Sequence, residues 1–141
     1  MAACVLVAAG AEAQQWPARP IRFVVPLPPG GGADLVARTI GEKLNRTLGQ
    51  QVIIDNRPGA GGNIAAELTA RSAPDGYTIF LGSMGTQSIN VSIYPKLAFD
   101  PVNDFVPVSL VSNSANLLLI HPSIPANSVK DRKSTRLNSS H

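Results

Sequence analysis

The stretch Ile21-Arg22-Phe23-Val24-Val25-Pro26-Leu27-Pro28-Pro29-Gly30-Gly31-Gly32-Ala33-Asp34 decides the fold. A short run of β-branched and aromatic residues reads as a buried strand, and Pro26 ends it. Glycines follow, and helical spacing then takes over at Leu35, Val36, Ile40, Leu44 and Leu48, with Arg38, Glu42, Lys43 and Arg46 on the other side. Asp34 suits an N-cap or first-turn position, and Gly49 suits the C-terminal stop. The phrase returns as Val52-Ile53-Ile54-Asp55, then Asn56-Arg57-Pro58-Gly59-Ala60-Gly61-Gly62-Asn63, then a helix through Ile64, Ala65, Leu68 and Ala70. Ala73-Pro74-Asp75-Gly76 is a turn, and Tyr77 to Leu81 a third strand ending in the loop Gly82-Ser83-Met84-Gly85-Thr86-Gln87. Strand and helix in alternation predict an α/β fold with right-handed crossovers and a parallel sheet. Ligands of such sheets bind beyond the carboxyl ends of the strands, where all three loops lie.

Glycine lets these bends take positive φ and lets a ligand come close to the main chain. A helix that starts just after such a bend aims free N–H groups and the positive end of its dipole at whatever sits there. Either glycine loop alone reads as a structural turn. Two of them, about 30 residues apart and both before helices, predict an anion site, with a carboxylate as the expected ligand. Ser83, Thr86 and Gln87 add neutral hydrogen-bonding groups beside the two bends, unless they are solvated turn residues. Asp34 could meet a ligand hydroxyl or ammonium group or cap its helix, and Arg57 could pair with an anion or lie exposed.

Other chemistries find little support. Gly30-Gly31-Gly32 lacks the Gly-Lys-Ser/Thr ending of a P-loop, and Ile64 breaks the dinucleotide fingerprint after Gly59 and Gly61. No cofactor is expected. Cys4 is the single cysteine, which excludes an internal disulfide and a cysteine-built metal site. No carboxylates and histidines share a metal-ligand spacing, so no metal is expected. Ser83 is not framed as a nucleophile elbow, and His121 precedes Pro122 at a predicted strand end. No catalytic residue is assigned, although an α/β enzyme acting on a phosphorylated or carboxylated small molecule is the alternative reading. The formal charge is +3. Arg132, Lys133 and Arg136 against Asp131 place most of it in residues 131–141, so the basic balance gives no case for nucleic acid.

The ends read differently from the middle. Residues 2–10 form an apolar run too short to span a membrane, and Ala11-Glu12-Ala13 supplies a small-x-small cleavage pattern, so residues 1–13 read as a signal-peptide remnant. Residues 14–105 then form a ligand-binding αβ lobe. Phe105 to Val111 and Asn116 to His121 read as two further strands, and residues 106–130 as a crossing segment, with Ser128 as the N-cap of a helix. Residues 131–141 lack apolar periodicity and match one reading frame of a common sequencing-adapter oligonucleotide, so they are expected to be an artefact.

Trp16-Pro17 through Val25-Pro26, Pro28-Pro29-Gly30-Gly31 with Asp34, Asn56 through Ile64, Pro74-Asp75-Gly76-Tyr77-Thr78 and Tyr94-Pro95-Lys96-Leu97 together resemble one family. It is the receptors of tripartite tricarboxylate transporters, often called Bug proteins, and the likeness runs from about Trp16 to Lys130. The resemblance implies lobe one of a two-lobed periplasmic-binding-protein-like fold (type 2), a parallel sheet with flanking helices, the second lobe being largely missing. It implies an exported, monomeric periplasmic protein that captures a small mono-, di- or tricarboxylate for a membrane permease. It also implies that three loops line the ligand cleft. They supply Pro29, Gly30, Gly31, Gly32 and Asp34; Ala60, Gly61, Gly62 and Asn63; and Ser83, Thr86 and Gln87. Valine at Gly61 or Gly62 is then expected to cost affinity more than stability.

Overall fold

Side chains alternate along a strand, so Ile21, Phe23 and Val25 of β1 (Ile21–Val25) face one side of a sheet while Arg22 and Val24 face the other. The computed structural model describes residues 15–113 together with His121 and Ser128. The chain divides into two units, Met1–Pro107 and Val108–His141. In the first, β1 is the centre of a three-stranded sheet. It pairs in parallel with β2 (Val52–Asn56) on one side and β3 (Thr78–Phe80) on the other. Phe23 lies opposite both Ile54 and Ile79, which puts the three on one face.

That face packs against α1 (Gly32–Leu48), forming a core of Ile21, Phe23, Val25, Ala37 and Val52, edged by Ile40, Leu44, Leu48, Ile54 and Ile79. Gly49 takes the left-handed conformation after the last turn, and its N–H donates to Asn45 O at 3.1 Å, as the stop signal requires. α2 (Asn63–Ala70) follows a single 3-10 turn at Ala60–Gly62 and buries Ala65 and Ala66. The strand order reverses direction after β2, so right-handed crossovers place α1 and α2 on opposite faces. Val24, fully buried, belongs to the α2 face.

Three expectations change. Leu35 points outward at 68% exposure, while Ala37 and Gly41 occupy the buried face of α1. The third loop is mostly helical: a wide π-type turn at Gly85–Ile89 runs directly into α3 (Asn90–Ile93). Phe105 to Val111 forms no strand, and its Val106, Val108 and Leu110 stand exposed without a ladder partner. Asn116 to Ile120, the helix after Ser128, and the expected leader and tail lie outside the described residues. Among the described residues, no helix is long and apolar enough to cross a membrane.

Candidate functional site

Because all three strands run parallel, the segments leaving them emerge at one edge of the sheet. Main-chain bonds tie them there: Arg57 N donates to Val25 O at 2.8 Å and Leu81 N to Val24 O at 2.9 Å. The side-chain amide of Asn56 donates to Leu27 O at 3.0 Å, fixing the first glycine loop to the end of β2.

The first helical bond of α1 runs from Leu35 N to Gly31 O, so the N–H groups of Gly31, Gly32, Ala33 and Asp34 have no acceptor within the helix. Asp34 sits in the first turn, not at the cap, and is 3% exposed. Its Oδ2 accepts from Arg38 Nε at 2.8 Å and from Gly30 N at 2.9 Å. The Arg38 guanidinium first, and then the Gly30 N–H, hold its carboxyl down at about 2 against the opposing effect of burial. The Asn56 amide, whose directed bond goes to Leu27, adds to that pull from farther off. Oδ1 of Asp34 is buried without a hydrogen-bond partner. Gly30 therefore spends its amide on Asp34, although it is exposed, as are Pro29, Gly31 and Gly32.

The second loop is a left-handed turn. Ala60, Gly61 and Gly62 take φ of 47°, 64° and 92° in succession. Gly62 N donates to Gly59 O and Asn63 N to Ala60 O, so the turn satisfies those two amides itself and makes no internal use of the N–H groups of Ala60 and Gly61. A Cβ at Gly62 would lie 2.6 Å from Thr86 Cγ2 and 3.0 Å from Pro26 Cβ. The three segments meet there with no room to spare, so valine at Gly62 breaks the packing as well as any ligand contact. At Gly61 a Cβ would come within 3.2 Å of Tyr94 Oη, and the position is again left-handed. Valine at either glycine is therefore expected to cost stability as well, a cost the sequence alone did not signal.

Ser83 and Thr86 form a reciprocal cap for the third segment. Ser83 N donates to Thr86 Oγ1 at 3.0 Å, Thr86 N to Ser83 Oγ at 3.3 Å, and the Thr86 hydroxyl to Ser83 O at 3.1 Å. Thr86 is fully buried, so its hydroxyl is a structural group, while Ser83 is exposed and Gln87 half-buried. Gln87 also borders an open cavity of about 620 Å³ with Val91, Tyr94, Phe99 and Asp100, to which none of the other expected site residues contributes. Arg57 is not a free anion ligand: it pairs with Asp55 at 2.9 Å. Burial raises the Asp55 carboxyl, but Arg22 and Arg57 together outweigh it and hold the group below its ordinary value. Among the described residues, no three histidine, cysteine or acidic side chains gather as a metal site.

Sequence reasoning missed Asn90. It is 6% exposed, and its amide nitrogen donates to Gly61 O at 3.1 Å and to Asn63 Oδ1 at 2.6 Å. The available signal was its spacing, since Thr86 and Asn90 are polar residues four apart that share one helical face.

The geometry has known counterparts. The model of the tripartite tricarboxylate transporter family receptor matches residues 36–136. Protein BugT of Bordetella pertussis is 40% identical over 124 residues, 87% of this chain and 38% of its own length. MatC from Rhodopseudomonas palustris, solved with bound malate, superposes with a TM-score of 0.74 at 41% identity, over 85% of this chain and 41% of its own. The periplasmic binding protein BugD gives a TM-score of 0.61 at 41% identity, over 64% of this chain and 30% of its own. The chain thus spans about two-fifths of the length of BugT and MatC. The family consists of transport receptors, which sets aside the enzyme alternative. This chain belongs to the receptor family of the tripartite tricarboxylate transporters.

Proposed function

We propose that this chain supplies the first lobe of a periplasmic solute-binding protein that captures a small carboxylate and hands it to a tripartite tricarboxylate permease. The observation that carries the reading is the convergence of two sets of amides at one sheet edge. The start of α1 offers Gly31 and Gly32, and the left-handed turn offers Ala60 and Gly61, while the neighbouring Arg38 and Arg57 are each paired with an aspartate. Charge-assisted hydrogen bonds of this kind contribute roughly 1.5–3 kcal/mol each, so a few suffice for tight binding. The malate held by MatC supports a dicarboxylate, and the likeness to BugD, a periplasmic binding protein, supports that compartment.

In this reading Gly31, Gly32, Ala60, Gly61, Asn63, Ser83 and Gln87 face the ligand, with Pro29 shaping the first bend. Gly30, Asp34, Gly62 and Thr86 hold the loops in place from behind. Capture then proceeds by closure of a second lobe about a hinge. The test is a thermal-shift series on the purified full-length protein with malate, succinate, citrate, acetate and the uncharged diamide malamide. A carboxylate present at 100 times its Kd raises stability by about 2.7 kcal/mol, a readily measured rise in melting temperature, and malamide at the same concentration gives a clearly smaller one. No response to any carboxylate overturns the proposal.

A further inference from the structure

The two hydrogen bonds of Asn90 fix more than the loop. One nitrogen serves both Gly61 O, at 3.1 Å, and Asn63 Oδ1, at 2.6 Å. A carbonyl oxygen only accepts, so the Asn90 atom facing Gly61 has to be its nitrogen. That nitrogen carries a second hydrogen, and the buried site leaves it one recipient, the side-chain amide of Asn63. The atom Asn63 turns toward Asn90 is accordingly its oxygen, and its own NH₂ group points away from Asn90.

We propose that Asn90 is a specificity-determining positioning residue that locks Asn63 as a hydrogen-bond donor, so that this corner of the site takes a carboxylate and rejects a carboxamide or an ammonium group. The inference rests on the carboxylate reading above. With Asn63 so fixed, the groups available in the second loop are the N–H of Ala60, the N–H of Gly61 and the NH₂ of Asn63, all donors. A carboxylate can accept from each. A carboxamide brings its own N–H groups against them and leaves donors facing donors, the kind of mismatch a polar site discriminates against strongly. Asn90 does this without facing the ligand, since it is buried beneath Gly61 and anchored by the Tyr94 N–H on its carbonyl at 2.9 Å.

The experiment is a calorimetric comparison of malate and malamide on the full-length protein and on its Asn90→Asp variant. An aspartate at this position can only accept, so Gly61 O loses its donor, and Asn63 has to turn its NH₂ inward and its oxygen away from position 90, toward the ligand. The ratio of malate to malamide affinity is expected to fall at least tenfold. Wild-type binding with an unchanged ratio in the variant overturns the inference alone, whereas failure of the wild-type protein to bind any carboxylate overturns the functional reading and this inference with it. If Asn90→Asp does not fold, Asn63→Asp carries the test. It keeps an oxygen for Asn90 but removes the outward donors, so malate affinity is expected to fall at least tenfold at an unchanged melting temperature. Unchanged affinity there overturns the inference.

Discussion

Asp34 is an internal carboxylate in the first turn of α1, and Arg38 and the Gly30 N–H stabilise its charged form while the Gly31 and Gly32 amides are left to others. Its pKa in the folded chain, about 2, lies below the ordinary 3.8. The interaction therefore contributes in full above about pH 4 and is lost as the pH falls through 2, because the unfolded chain takes up the proton first. The urea midpoint of the wild-type protein should drop between pH 5 and pH 2, and Asp34→Asn should be the weaker at neutral pH yet converge with wild type toward pH 2. Parallel profiles would show that another group governs acid stability. At Asp34 the sequence offered an N-cap or a first-turn position, and the fold takes the second: the residue stands in the first turn and reaches back to Gly30. Ala60 was still less legible. It holds a left-handed φ of 47°, which costs a non-glycine residue about 1–2 kcal/mol, and nothing in its chemistry signals that.

Among the elements, α1 shows how periodicity finds a helix and still misplaces its seat. The spacing of Leu35, Val36, Ile40, Leu44 and Leu48 marks the helix well, and Gly49 ends it as expected. Gly41, however, also lies against the sheet, where a Cβ would sit 3.1 Å from Ile54 Cδ1 and 3.6 Å from Val52 Cγ1. Gly41→Leu should overpack that contact and destabilise by about 1–3 kcal/mol in urea unfolding. Leu35→Ser should stay within about 0.5 kcal/mol of wild type. Equal losses at the two positions would mean that the helix packs on the other face. The strands and their parallel order were legible because proline and glycine punctuate them so sharply. The segment after Phe105 was not, because alternating valines announce a strand only if a partner strand lies beside them. Ser83 and Thr86 read in the sequence only as free hydroxyls of a turn, because a threonine in place of the usual Glu or Gln hides their reciprocal bonds until the helix behind them is seen.

Across the whole molecule, the edge that carries the glycine turns is set apart from the edge where the chain enters the sheet. At that entry edge, Trp16 packs against Tyr77 with ring centroids 6.0 Å apart, and the space a Cβ would fill at Gly76 lies 3.3 Å from its Nε1. Ala18 N donates to the Tyr77 hydroxyl at 2.8 Å, Arg19 lies 4.2 Å over the same ring, and its guanidinium pairs with Asp75 at 2.7 Å. This clasp holds the lead-in to β1 against the turn before β3, at the amino ends of both strands. Trp16 is the only tryptophan of the 141 residues. The consequence is optical: the strongest intrinsic fluorophore of this chain reports on the clasp and is insulated from the opposite edge. Its emission should shift to the red as the chain unfolds and stay constant when malate is added to the folded 141-residue chain, whereas a malate-dependent change in colour or intensity would show that the two edges of the sheet communicate.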